Sequence, residues 1–343
     1  MFASLFGSVE LGLIYGLMAL GVYLSFRVLD FPDLTVDGSF VTGAAVAATM
    51  ITIGYSPLLA TIVSIFAGFF AGCLTGLLHT KGKINSLLAG ILMMIALYSI
   101  NLRIMGATLP DTVGRPNIPL LNTETLFTPI ERVAEGMSTI LNGWVSSLGL
   151  GESNSTWGIF FTMLLIVCIV KLLVDVFLKT EVGLALRATG DNERMIRSLS
   201  ANTDLLKIVG LGLSNALVAF SGALVAQYSS FADIGMGVGM IIIGLASVII
   251  GEALFGTKSI VRTTFAVIGG AIIYRSVIGL ALRYNVLDAA DTKLITAGLV
   301  IVALIAPGMI DKRRQKRRKQ RYYAQREEEQ TVVTTPANQR HFS

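Results

Sequence analysis

The chain has 343 residues, 53% of them apolar and only 14% charged, where a soluble domain carries roughly 25% charged residues. Its net charge of +5 comes from a tail: ten of the 27 basic residues lie after Pro307, and the remainder is slightly acidic. The charge therefore bears on membrane topology and not on nucleic acid. Cys73 and Cys168 sit inside apolar runs and His79 and His341 are isolated, so no disulfide, metal cluster or nucleophile triad is expected, and the chain is predicted to be neither an enzyme nor the holder of a cofactor.

An α-helix needs ~20 apolar residues to cross the hydrocarbon core. Nine candidate spans follow in chain order: 8–29, 38–53, 57–79, 84–105, 156–178, 208–228, 237–255, 263–282 and 292–310. The first lacks the basic start and cleavage site of a signal peptide and is expected to remain as a span. The prediction is an all-α polytopic bundle of about nine spans (eight to ten), with a transmembrane domain over 1–310 and a basic tail over 311–343. Basic residues collect on the cytoplasmic side of membrane proteins. Arg27, Lys81, Lys83, Lys258, Arg262, the loop 180–207 and the tail all fall on one side. The N-terminus is therefore placed outside and the C-terminus in the cytoplasm. The basic tail is expected to touch anionic membrane lipid.

Between the first two spans stands Asp30-Phe31-Pro32-Asp33-Leu34-Thr35-Val36-Asp37-Gly38-Ser39. Pro32 forbids a regular helix interior, and the following span has only 16 residues. A broken helix pair is expected, with irregular backbone lining a cavity. The plainer alternative is a tight turn in which Asp37 caps the next helix. Phe31-Pro32-Asp33-Leu34-Thr35-Val36 is echoed by Phe231-Ala232-Asp233-Ile234-Gly235-Met236, and the echo on the opposite membrane side is what an inverted repeat would give. A carboxylate or amide inside a span needs a partner or water. The candidate solute pathway is Asp33, Thr35, Asp37, Ser39, Asn101, Asn215, Ser247 and Glu252.

The segment 106–155 is the one large external stretch. Its second half places Val133, Met137, Ile140, Leu141, Trp144 and Val145 at helical spacing over 131–148, which predicts an amphipathic helix at the outer interface. The segment 180–207 is the longest polar stretch between spans and carries four basic and four acidic residues. Asp191 is expected to cap a short helix 192–200 whose strip Met195, Ile196 and Leu199 has no partner in its own chain. A cytoplasmic protein with a groove for such a helix would supply one.

In that loop Gly183, Leu186-Arg187-Ala188, Asn192-Glu193, Leu199 and Asn202 resemble the coupling-loop pattern of the permeases that serve branched-chain amino acids and ribose in ABC importers. Asp33–Ser39, Ser221–Gln227 and Val248–Gly256 are similar to further elements of that family, the last in the version found in tryptophan- or tyrosine-type permeases. The likeness covers roughly 11–307. Ser200 departs from it, standing where the family often has Gly. The resemblance implies a permease subunit of a bacterial inner-membrane importer that carries a small polar solute, an amino acid by preference. It implies an ATP-binding cassette subunit docking on Gly183, Arg187, Asp191, Asn192, Glu193, Met195, Ile196 and Leu199, with ATP used by that partner alone. An external solute-binding protein and a second permease copy complete the set. The rival expectation is an ion- or proton-coupled secondary transporter using Asp33, Asp37 and Glu252. Gly251–Ser259 approaches a phosphate-binding loop but has Thr257 where that loop requires Lys, so the chain is not expected to hydrolyse ATP.

Overall fold

The computed structural model describes residues 2–108, 114–121, 123–147 and 157–283, with the single positions 298 and 301. The ninth predicted span, 292–310, and the tail, 311–343, lie outside the described residues.

Among the described residues ten α-helices follow in order: α1 Phe2–Val22, α2 Thr35–Ile53, α3 Pro57–Thr80, α4 Ser86–Gly106, α5 Phe127–Ser147, α6 Trp157–Phe177, α7 Glu181–Ser198, α8 Thr203–Ser229, α9 Met240–Phe255 and α10 Ile260–Arg283. Two short strands, β1 Asn117–Pro119 and β2 Phe231–Asp233, pair antiparallel. Among the described residues eight helical segments are long and apolar enough to cross a membrane, and they coincide with the first eight predicted spans. The chain is thus an all-α integral membrane bundle.

Local chemistry sets the helix ends. Ser56 accepts a hydrogen bond from Leu59 N–H ahead of Pro57 at the first position of α3, and Asn85 does the same for α4. Thr180 caps α7 and Asn202 caps α8. Each satisfies one of the amide donors that a helix start leaves unpaired. Two of the boundaries that move from their expected places have a local cause. The second span begins at Thr35 and not at 38, because Asp33 supplies the acceptor for the Thr35 N–H. The seventh begins at Met240 and not at 237, because a 3₁₀ turn over Ile234–Gly237 and Gly239 at φ 88° come first.

Close helix approach in lipid depends on small side chains. A Cβ added at Gly43 would overlap the Ala219 carbonyl, and one at Gly222 would overlap the Phe40 carbonyl, so α2 and α8 touch backbone to backbone. Ser221 Oγ donates to Ile14 O at 2.8 Å and Ser214 Oγ to Gly21 O at 2.7 Å. As the numbers rise in α8 they fall in α1, so the two helices run antiparallel. α3 packs along α8 and α10 packs along α1, and the Asp33 and Asp233 turns follow α1 and α8, whose directions are opposite.

The outward faces of α3, α4 and α6 are mostly apolar, with Phe66, Phe70, Leu88, Leu92, Leu165 and Leu172 exposed, as a lipid-facing surface requires. The expected amphipathic helix forms as α5, four residues earlier at its start. It packs on α6 and leaves Val133 and Ile140 exposed.

Candidate functional site

α1 ends in a wide π-helical turn over Tyr23–Val28, a common marker of function within a helix. Asp30 then takes a left-handed conformation at φ 51° and Phe31 N–H donates back to Ser25 O at 2.9 Å. This turn delivers Asp33 against Asn215, near the midpoint of α8. The carboxylate is fully buried. Its Oδ1 accepts from Thr35 N–H at 2.9 Å and its Oδ2 from Asn215 Nδ2 at 2.6 Å. Thr35 Oγ1 lies 2.8 Å from Thr75 Oγ1 of α3, and Asn215 Nδ2 also donates to Leu211 O at 3.0 Å. Hydrogen bonds to a charged group each contribute about 1.5–3 kcal/mol. Asp33, Thr35 and Asn215, expected along the solute pathway, thus tie α2, α3 and α8 together in a dry polar knot.

One turn further on, Asp37 lines an open cavity of about 440 Å³ with Gly38, Val41, Met94, Ile95, Tyr98, Ser99, Asn101, Ile234, Gly237 and Val238. Asp37 does not cap its own helix, as the plainer alternative held. Its Oδ2 accepts from Gly239 N–H at 3.0 Å and its Oδ1 from Ile241 N–H at 2.8 Å. A carboxylate from α2 therefore occupies the N-terminus of α9, where the helix dipole favours negative charge. Asn101 joins the same cavity from α4 and donates through Nδ2 to Gly38 O at 3.2 Å. Among the described residues the buried side-chain polar atoms with no hydrogen-bond partner are Ser39 Oγ, Asn101 Oδ1 and Asn215 Oδ1. All three belong to residues singled out from sequence, and all lie around the first turns of α2. Native buried polar groups are overwhelmingly paired, so this concentration marks the region.

Ser247 and Glu252 lie elsewhere. Ser247 is buried in α9 and donates to Ile243 O at 2.7 Å. Glu252 pairs with Arg27 at 3.0 Å, at the far end of α9. Tyr98, Ser99, Met94 and Val238 were missed, for they carry no motif and look like ordinary span residues. Glu10 and Asp175 were missed too. Glu10 is buried and accepts from Tyr228 OH at 2.8 Å. Asp175 is buried, paired with Lys171, and accepts from Thr264 Oγ1 at 2.6 Å. A carboxylate within an apolar run was the available signal in both cases.

The loop between α6 and α8 is helical almost throughout, as α7, with a break at Asn192 (φ −158°, ψ 91°). Asn192 caps the second arm, its Oδ1 accepting from Met195 N–H at 3.1 Å. The expected cap, Asp191, stands one residue before the break and is exposed. The first arm is packed: Gly183 meets the Phe177 carbonyl and Leu178, and Gly190 meets the Val28 carbonyl, so closely that neither place has room for a Cβ. Arg187 is half-buried between them. The second arm has partners in its own chain, contrary to expectation. Glu193 bonds Lys207 at 2.9 Å and Arg197 at 3.0 Å, and Arg197 also bonds Asp204 at 3.0 Å. The Lys207 ammonium donating to it holds the Glu193 carboxyl below its ordinary range. These bridges draw the arm onto α8 and bury Ile196 to 6% exposure, so of the expected apolar strip Met195 and Leu199 stay free, 49% and 70% exposed. Ser200, noted as a departure from Gly, takes φ 62°, the left-handed conformation that glycine adopts without strain.

Residues 4–305 match the family described as branched-chain amino acid transport system, permease component. The chain is 43% identical over 299 residues to the tyrosine transport system permease protein of Clostridioides difficile (strain R20291), covering 87% of this chain and 89% of that one. It is 33% identical over 301 residues to the uncharacterized protein RP368 of Rickettsia prowazekii (strain Madrid E), covering 87% and 95%. It is 26% identical over 273 residues to the ribose import permease protein RbsC of Escherichia coli (strain K12), covering 79% and 75%. The chain belongs to the branched-chain amino acid transport system permease family and is a multi-pass membrane transport permease, not an enzyme.

Proposed function

We propose that the chain is the membrane subunit of an ATP-driven ABC importer for an amino acid. The observation that carries this reading is α7. It is a kinked helix between two spans, anchored by its first arm and presenting Met195 and Leu199 on its second. A cytoplasmic ATPase subunit takes that surface in its groove, and ATP is bound and hydrolysed there, not in this chain. The ion bridges from Glu193 and Arg197 to the start of α8 carry movement of the arm into the helix that holds Asn215. Two permease copies form the path, with the N-terminus outside and the C-terminus in the cytoplasm of a bacterial inner membrane. An external binding protein delivers the solute to the side that carries α5. The tyrosine permease relative supports an amino acid over a sugar.

The ion-coupled reading is the weaker one. All three of its coupling carboxylates are already engaged within the chain, Asp33 with Asn215, Asp37 with the amides of Gly239 and Ile241, and Glu252 with Arg27. The test is uptake into vesicles with the membrane potential collapsed. Uptake that requires ATP and the ATPase subunit is expected, and Leu199→Asp is expected to abolish co-purification of that subunit while leaving the spans folded. Uptake that survives removal of the ATPase subunit would defeat the proposal.

A further inference from the structure

A second cavity, of about 500 Å³, opens between the end of α3, the second arm of α7 and the start of α8, and none of the eight residues that line it is apolar. Four are cations, Lys83, Arg194, Arg197 and Lys207, against two acids, Glu193 and Asp204. Both acids are engaged: Glu193 bonds Lys207 and Arg197, and Asp204 bonds Arg197. Lys83 and Arg194 are exposed and form no ion pair among the described residues. The cationic surplus therefore rests on that pair. Lys83 belongs to the connector between α3 and α4, and Arg194 to the arm of α7. Among the described residues no hydrogen bond or ion pair joins that connector to the arm. The connector itself is well held. Ile84 N–H donates back to Leu78 O at 3.3 Å, and His79 Nδ1 donates to Ile84 O at 2.8 Å. Lys83 takes φ 54° there, at a left-handed helix end where glycine is usual.

We propose that this cavity takes a phosphate group, with Lys83 and Arg194 donating to its oxygens from two different walls. An ammonium has three donors and a guanidinium five, and neither has an acceptor, so the unpaired cations need an anion with several oxygens. Arg meets phosphate through two parallel N–H bonds and Lys meets it as a point charge. Depth favours the phosphate of an anionic lipid. The span of α3 ends at Thr80, that of α4 starts at Ser86 and that of α8 at Thr203. The cavity thus sits at the level of the headgroups, and Leu74, Leu87 and Leu88, exposed just inside that level, face the acyl chains. Basic pockets between spans on the cytoplasmic side hold anionic headgroups. A soluble phosphate ester has the same chemistry, and the experiment below separates the two. Bound there, the phosphate links the α3–α4 connector to α7, a link that the chain's own hydrogen bonds do not make. The site shares no lining residue with the cavity beside Asp37 and needs no ATPase subunit.

The test uses the full chain in nanodiscs, with Cys73→Ala and Cys168→Ala to remove the native thiols and Thr80→Cys as a reporter on the cavity wall. The rate of labelling by a neutral maleimide is read in discs of phosphatidylcholine alone, then with phosphatidylglycerol, with cholesteryl hemisuccinate, or with sn-glycerol 3-phosphate in the buffer. Phosphatidylglycerol is expected to slow labelling. The hemisuccinate, which adds negative charge without phosphate, is not. Lys83→Gln with Arg194→Gln is expected to raise the phosphatidylglycerol fraction for half protection by roughly tenfold or more. Either substitution alone is expected to raise it roughly fivefold, which keeps the reading open should the double variant fail to fold. Lys179→Gln with Lys258→Gln removes the same charge from exposed residues outside the cavity and is expected to leave protection unchanged. Slowing by phosphatidylglycerol and not by glycerol phosphate assigns the site to lipid. Slowing by glycerol phosphate in phosphatidylcholine discs, weakened by the same substitutions, assigns it to phosphate taken from solution. No slowing by either phosphate overturns the proposal. So does slowing by the hemisuccinate equal to that by phosphatidylglycerol, or slowing that the substitutions at 83 and 194 leave unchanged.

Discussion

Asp33 and Asp233 stand in matching turns, each accepting the backbone N–H two residues on, at 2.9 and 2.7 Å. Each turn leads toward a helix that starts inside the bundle, and the two helices meet where Asp37 receives the amides of Gly239 and Ile241. The difference lies in the second oxygen. Asp33 is wholly buried and gives Oδ2 to Asn215, whereas Asp233 is only half-buried and sits beside β1, opposite Asn117. One local motif therefore serves as a structural lock on one side of the membrane and as a plain turn on the other. Burial decides which, because an unpaired polar group costs far more in a dry site than in a wet one.

The largest effect on stability should come from Asp33→Ala. It strips both Asn215 and the Thr35 amide of their acceptor in a dry site, and each orphaned group costs about 1–3 kcal/mol. Denaturation of the purified chain in mixed micelles should show it. Asn215→Leu is expected to cost about 1–3 kcal/mol, since it leaves the carboxylate with one partner fewer. The double variant should fall short of the sum, with a coupling of about 0.5–3 kcal/mol; additive costs would mean that the knot is not a unit. Asp233→Ala, which removes one half-exposed turn bond, should cost no more than about 1 kcal/mol. An equal cost at 33 and 233 would break the comparison outright.

The smallest effect belongs to the exposed bridges of α7. The Glu193 carboxyl is held low in the folded chain, first by the hydrogen bond from Lys207. Its contribution is whole above the ordinary glutamate value of about 4.3 and fades as the pH falls through the folded value below that. Surface pairs contribute at most about 1 kcal/mol. Protease cleavage within α7 should therefore rise modestly in that acid window, and Glu193→Gln should flatten the pH dependence. A profile unchanged by the substitution would show that the arm is held by the burial of Ile196 alone.

The sequence by itself determined the spans, since a run of apolar residues long enough to cross lipid has few other uses. It also indicated where regular spans would be interrupted: Pro32 and three carboxylates could not continue a helix, and a long charged stretch between spans needed a structure of its own. The residues it singled out include every buried polar atom found without a partner among the described residues. Tertiary structure alone decided how they divide. Asp33 and Asn215 are 182 positions apart and Asp37 and Gly239 are 202 apart, and helical period reveals which face a residue is on but not which helix that face meets. The glycines of α2 and α8 set that meeting by letting the backbones touch. For the same reason Asn192 and not Asp191 caps the second arm of α7, and Ile196 turns inward: the bridges from Glu193 and Arg197 to α8 fix the arm's rotation, and they form only once the two helices are side by side.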